Sequence, residues 1–244
     1  MKNILILLTA LITSNSYAQF DQLKKAVSKP IGDVKNIISP KKDSLSTNDV
    51  ISGLKETLNK GIEKGTSQLS AIDGFFKDAA IKILMPPEAV KVEESLRKVG
   101  MGNQVDAAIL NMNRAAEDAC KTASPIFITA IKNMSFTDAW GILKGGDKAA
   151  TNYLQKQTIT ELTNSFKPVI EQALNKIDAT KYWNTLFSNY NRFSFNKVNP
   201  DLTAYVTEKA LSGIFYQLAL EEQKIRKDPA AQTTDLLKKV FGGK

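Results

Sequence analysis

The chain has 244 residues, 43% of them hydrophobic and 24% charged, which are ordinary values for a globular protein and argue against disorder or a fibrous repeat. Its 33 Lys+Arg outnumber 25 Asp+Glu, and the resulting charge of +8 favours anionic surfaces such as phospholipid headgroups, lipopolysaccharide phosphates or nucleic acid. With no histidine and one cysteine, the chain excludes histidine-based acid–base catalysis, multi-cysteine zinc sites and an intrachain disulfide.

Residues 1–18 read as a secretory leader. Lys2 supplies the basic start, residues 4–12 form an apolar run, and Ser16-Tyr17-Ala18 gives a small-x-small cleavage pattern, so cleavage is expected between Ala18 and Gln19. That run is too short for a membrane span, and no later segment reaches about 18 consecutive apolar residues, so no transmembrane segment is expected in the mature chain. Gln19, not cysteine, follows the cut, which leaves no lipid anchor at that position. The expected product is exported, soluble, and periplasmic or extracellular. The leader carries only Lys2, so the basic excess survives its removal. An exported chain rarely meets nucleic acid, and no run of five bases occurs, so the partner to weigh is an anionic envelope surface or lipid.

Residues 19–46, with Pro30, Gly32 and Pro40 and few large apolar side chains, read as a loosely ordered arm ahead of a single helical domain over residues 47–244. Ile51, Leu54, Leu58, Ile62 and Leu69 recur at helical spacing, with Gly61 and Gly65 beside the stripe where another segment could approach closely. A second helix opens after Pro86-Pro87, passes Val92, Leu96 and Val99, and stops at Gly100. A third carries Val105, Ala108, Ile109, Met112, Ala116 and Ala119 on one face. Ser124-Pro125 is expected to cap a fourth, and Ser135 with Asp138 to cap a short helix ending at Gly145-Gly146.

Asp147 is expected to start the next helix, with a restart at Thr158-Ile159-Thr160-Glu161, a capping-box pattern. The stripe Leu162, Phe166, Val169, Ala173, Leu174 and Ile177 passes Pro168 in phase, which predicts a kinked helix there. An aromatic helix follows over residues 181–191. Asn199-Pro200 reads as an N-cap with proline at N1, launching the longest helix over residues 200–226. In it Leu202, Val206, Ala210, Ile214 and Leu218 repeat every four residues, and residues 211–220 are apolar on nearly every side, which marks the central helix. A last amphipathic helix covers residues 233–241. Ile81, Ile83 and Met85 alternate with Lys82 and Leu84, as do Phe193, Phe195 and Lys197 with their neighbours up to Val198. Residues 81–85 and 193–198 could therefore pair as a short two-stranded ribbon. The fold class is all-α, a multi-helix bundle with that ribbon as an option.

The chemistry that remains is sparse. Glu93-Glu94, Glu117-Asp118 and Glu221-Glu222 are adjacent on helices, point about 100° apart, and read as solvated faces. Cys120 continues an apolar face and reads as a core residue. Lys144, Gly145, Gly146, Asp147 and Lys148 form a candidate anion-binding turn, two glycines leading into a helix N-terminus between two lysines, although Asp147 competes for the same N–H groups. Asn113, Arg114 and Glu117 form a candidate polar cluster, either buried or on an exposed helix face. No metal or cofactor is expected.

Four segments carry a family resemblance. They are Gly141-Ile142-Leu143-Lys144-Gly145-Gly146-Asp147 with Ala149-Ala150-Thr151; Asn113-Arg114-Ala115-Ala116-Glu117; Val198-Asn199-Pro200-Asp201-Leu202; and Lys227-Asp228-Pro229-Ala230-Ala231 with residues 233–242. Together they resemble the bacterial exported-protein family catalogued as domain of unknown function 4197, from about Ile51 to Gly242. The resemblance implies an envelope location and an all-helical domain, and brings no catalytic or binding residue with it. The function expected is a non-enzymatic binding or structural protein of the bacterial envelope. The alternatives are a histidine-free carboxylate hydrolase acting on cell-wall glycan, and a carrier of lipid or another apolar ligand, which needs an apolar cavity of several hundred Å³.

Overall fold

Ser46 fixes the start of the first helix, α1 (Thr47–Ser70). Its hydroxyl accepts from the Asp49 N–H at 3.2 Å, while the Asp49 carboxylate accepts from the Ser46 N–H at 3.1 Å, a reciprocal capping box. The computed structural model describes residues 46–176, 183–184, 187–188, 191–192 and 201–227. The chain divides into two units, Met1–Ser44 and Leu45–Lys244, and every described residue lies in the second. The expected leader, most of the arm, Asn199-Pro200, the last helix at 233–241 and the 193–198 half of the ribbon fall outside the described residues.

The described part is helical, as the periodicity predicts. After α1 come α2 (Val90–Lys98), led in by a 3-10 turn at Pro87–Ala89, then α3 (Gly102–Cys120), α4 (Ala123–Lys132), α5 (Phe136–Lys144), α6 (Ala149–Asn175) and α7 (Leu202–Lys227). Gly100, at φ +84°, makes the left-handed turn that separates α2 from α3. α7 packs against α6, α1 and α3, and α6 also packs against α3, α4 and α5. Val206, Ala210 and Ile214 of α7 are fully buried, which is the central position that its all-round apolarity predicts. Gly61 and Gly65 of α1 face this helix. A Cβ on Gly65 would come within 3.2 Å of Leu218 Cδ2, and one on Gly61 within 3.4 Å of Ile225 Cδ1.

Several local expectations are corrected by hydrogen bonding. α6 runs unbroken through Thr158, so no orphan N–H is left there to cap, and the buried Thr158 hydroxyl instead donates to the Leu154 carbonyl at 2.7 Å. It continues through Pro168, as the in-phase stripe predicts. α4 starts at Ala123 with Thr122 in the cap position, so Ser124 and Pro125 sit inside its first turn. α7 is capped by Asp201, whose carboxylate accepts from the Ala204 N–H at 2.9 Å. Of the aromatic helix, Trp183 and Phe187 are described; both are buried, with ring centroids 4.3 Å apart.

Residues 81–85 show the alternation but are not a strand, and no strand occurs among the described residues. Ile81 and Ile83 point inward and Leu84 is exposed. The backbone of Ile83 finds its partner on the side chain of Asn113, as described below, so the segment needs no second strand.

Candidate functional site

The predicted anion-binding turn connects α5 to α6. Gly145 ends α5 with a backbone so close that a Cβ there would run into Ala149 Cβ and the Gly141 carbonyl oxygen, which explains the glycine. The N–H groups at the start of α6 do hold an anion, and it belongs to the chain itself. The Glu222 carboxylate of α7 accepts from the Ala150 N–H at 2.9 Å, the Thr151 N–H at 2.9 Å and the Thr151 hydroxyl at 2.8 Å. Arg226, one turn on, donates to the same carboxylate through Nε at 2.9 Å and Nη2 at 2.8 Å, and reaches the Ile142 carbonyl of α5 at 2.9 Å. One ion pair thus ties α5, α6 and α7 together. Lys148 is exposed. Asp147 pairs with Lys227 at 2.6 Å, and Lys144 lies over the Trp140 ring at 4.9 Å.

Asn113, Arg114 and Glu117 all hold the irregular segment between α1 and α2, Asn113 at Ile83 and the Arg114–Glu117 pair at residues 73–76. Asn113 is fully buried. Its Oδ1 accepts from the Ile83 N–H at 2.8 Å, and its Nδ2 donates to the Ile83 carbonyl at 2.8 Å and the Ile109 carbonyl at 2.7 Å. The amide thereby presents to Ile83 the donor–acceptor pair that a neighbouring strand would offer. Glu117 Oε1 accepts from the N–H groups of Phe75 at 3.1 Å and Phe76 at 3.3 Å. Arg114 bridges Glu117 and Asp73, both at 2.6 Å. Asp73 sits at φ +71°, so these bonds hold a left-handed backbone in place. The hydrogen bonds from Lys77 and Arg114 keep its carboxyl below the usual carboxylate range. Tyr205 adds a tie from α7 by donating to the Leu84 carbonyl at 2.9 Å, and burial pushes its phenol up to about 12.

Glu117, Glu221 and Glu222 were expected on solvated faces, yet they are 3%, 3% and 7% exposed. Glu221 accepts from Lys64 at 2.8 Å and Lys224 at 3.0 Å. Burial alone would raise its carboxyl; the two ammonium groups outweigh that and hold it below the usual range. A signal for Glu221 and Glu222 was present in the sequence: on a helix apolar on nearly every side, charged neighbours of the apolar stretch are drawn inside with it. Cys120 is buried as expected, and burial pushes its thiol up, away from nucleophilic character.

The described residues contain no cluster of three or more potential metal ligands. Nor is any described helix long and apolar enough to cross a membrane. An open groove of about 550 Å³ at the end of α6 is lined by Pro168, Glu171, Gln172, Asn175 and Lys176. Among the described residues, an exposed aromatic pair was missed by the sequence reading. Phe136 and Trp140 of α5 are 53% and 40% exposed, with near-parallel rings 6.2 Å apart.

The family model described as Protein of unknown function (DUF4197) matches residues 44–242, which covers most of the chain. The chain belongs to that family. No curated protein and no solved structure matches it.

Proposed function

We propose that this family member is a non-enzymatic, exported helical protein of the bacterial envelope that works by binding through its surface. One observation carries the reading: the three buried carboxylates among the described residues, Glu117, Glu221 and Glu222, are each engaged by donors of their own chain. A carboxylate hydrolase needs two such groups facing a cleft across about 5–10 Å with room for substrate. Here the oxygens face backbone N–H groups, arginines and lysines, so these groups support the fold. The leader pattern over residues 1–18 supports export, and the basic excess supports an anionic partner.

The experiment is an assay of the purified protein on insoluble cell-wall glycan. No release of reducing ends above a boiled control is expected, and release that follows protein concentration overturns the non-enzymatic reading. Intact-mass measurement of protein from its own cell is expected to give a chain starting at Gln19. An uncut chain overturns the export assignment.

A further inference from the structure

We propose that the outer face of α5, formed by Phe136, Trp140 and Lys144, is where this chain rests on an anionic phospholipid surface. The proposal deepens the binding role given above and rests on it. The helix is amphipathic in an uneven way. Ala139 and Ile142 are buried in the core, while Phe136 and Trp140, four residues apart, point out and stack on each other. Aromatic side chains contribute most when buried, so two of them held outside mark a contact surface. Lys144 continues the row by one more turn, its ammonium 4.9 Å from the Trp140 ring centroid.

The local charge is positive. Asp138 is turned into the capping box with Ser135, and Asp147 is paired with Lys227. Lys132 and Lys148, which flank the helix in sequence, are exposed with Lys144. An apolar aromatic row edged by lysine matches the acyl–headgroup boundary of an anionic leaflet, where rings enter shallowly and ammonium groups meet phosphates.

Area decides against a protein occupant. At 53% and 40% exposure, the two rings offer about 200 Å². A stable protein interface needs about 800 Å² from each partner. A face of this size suits a fluid surface, which adds charge attraction to shallow insertion.

The test uses the protein purified from its own cell with vesicles about one-third phosphatidylglycerol in phosphatidylcholine, at about 0.15 M salt. Co-sedimentation is expected, with a blue shift of tryptophan emission, to which Trp140 contributes because the chain's other tryptophan, Trp183, is already buried. The double variant Phe136→Ala/Trp140→Ala should lose about tenfold or more in affinity, and Lys144→Gln a few-fold. Both should melt with the parent, because the altered side chains lie outside the core. Tyr216→Ser, an equally exposed aromatic change on α7, should leave binding intact. Three outcomes overturn the proposal: a parent protein that ignores the vesicles, a double variant that binds as well as the parent, or a parent whose mass in solution rises with concentration only while Phe136 and Trp140 are present. Glycan hydrolysis would instead overturn the functional reading and leave this binding comparison standing.

Discussion

Phe75 lays its ring edge on the bare Cα of Gly213, so close that a Cβ there would lie 2.5 Å from Phe75 Cε1. Phe75 comes from the irregular segment after α1 and is fully buried, and Gly213 is at the middle of the central helix. Glycine at mid-helix costs about 1 kcal/mol relative to alanine on propensity alone. Here it opens the slot that receives the ring.

Gly213→Ala should therefore destabilise the protein by about 1–3 kcal/mol despite the better helix propensity, because the ring has no room to withdraw. Denaturant unfolding measures it. Pairing the change with Phe75→Leu should cost less than the sum of the two single changes. Strict additivity would disconnect the two residues.

Glu222→Ala leaves the Arg226 guanidinium, whose side chain is 9% exposed, without its carboxylate, and leaves the Ala150 and Thr151 N–H groups without an acceptor. A loss of about 3–5 kcal/mol is expected. The emptied helix terminus should then take a small anion. Inorganic phosphate is expected to raise the melting temperature of the variant more than that of the parent. An equal rise in both would mean that phosphate acts at the surface lysines.

Glu221 sets part of the acid response. Its folded-state pKa lies below the unfolded value, so its contribution is present above the usual carboxylate range near pH 4.3 and is lost as pH falls through the lowered value. Asp73 and Asp138 are lowered too and act in the same direction. Lys64→Met/Lys224→Met should be less stable than the parent at pH 7. The gap should narrow as the pH falls through that lowered value, because a protonated Glu221 no longer attracts the two ammonium groups. A constant gap in thermal melts across that range would show that the lysines act only by packing.

Asn113→Ala removes the three bonds that hold Ile83 and the Ile109 carbonyl. Each buried group left unpaired costs about 1–3 kcal/mol. Hydrogen exchange at the Ile83 N–H should accelerate beyond what the change in global stability explains, since the anchor lost is local. Exchange that tracks global stability alone would argue that the segment is held by Phe75 and Ile81 packing instead.

Helix existence was legible in the sequence because it is a one-dimensional signal. Leu54, Leu58, Ile62 and Leu69 share a face of any helix they form, and Ser135 lies three residues from Asp138 whatever surrounds them. The centrality of α7 was legible for the same reason, since a helix apolar on nearly every side has to be enclosed. Asn113, Arg114 and Glu117 could be singled out as polar residues of one helix, with their burial left open. The partners of these groups were not legible. Glu222 reaches Ala150 across 72 residues, Glu117 reaches Phe75 across 42, and Asn113 reaches Ile83 across 30. A carboxylate next to another on a helix reads as solvated until a second element places orphan N–H groups against it. Only the packing of α6 on α7 did that, and it turned an apparent site for an external anion into an internal cap. The outward placement of Phe136 and Trp140 was decided the same way: α5 had already put Ala139 and Ile142 against the bundle, and a nine-residue helix with one buried side leaves its other side in water.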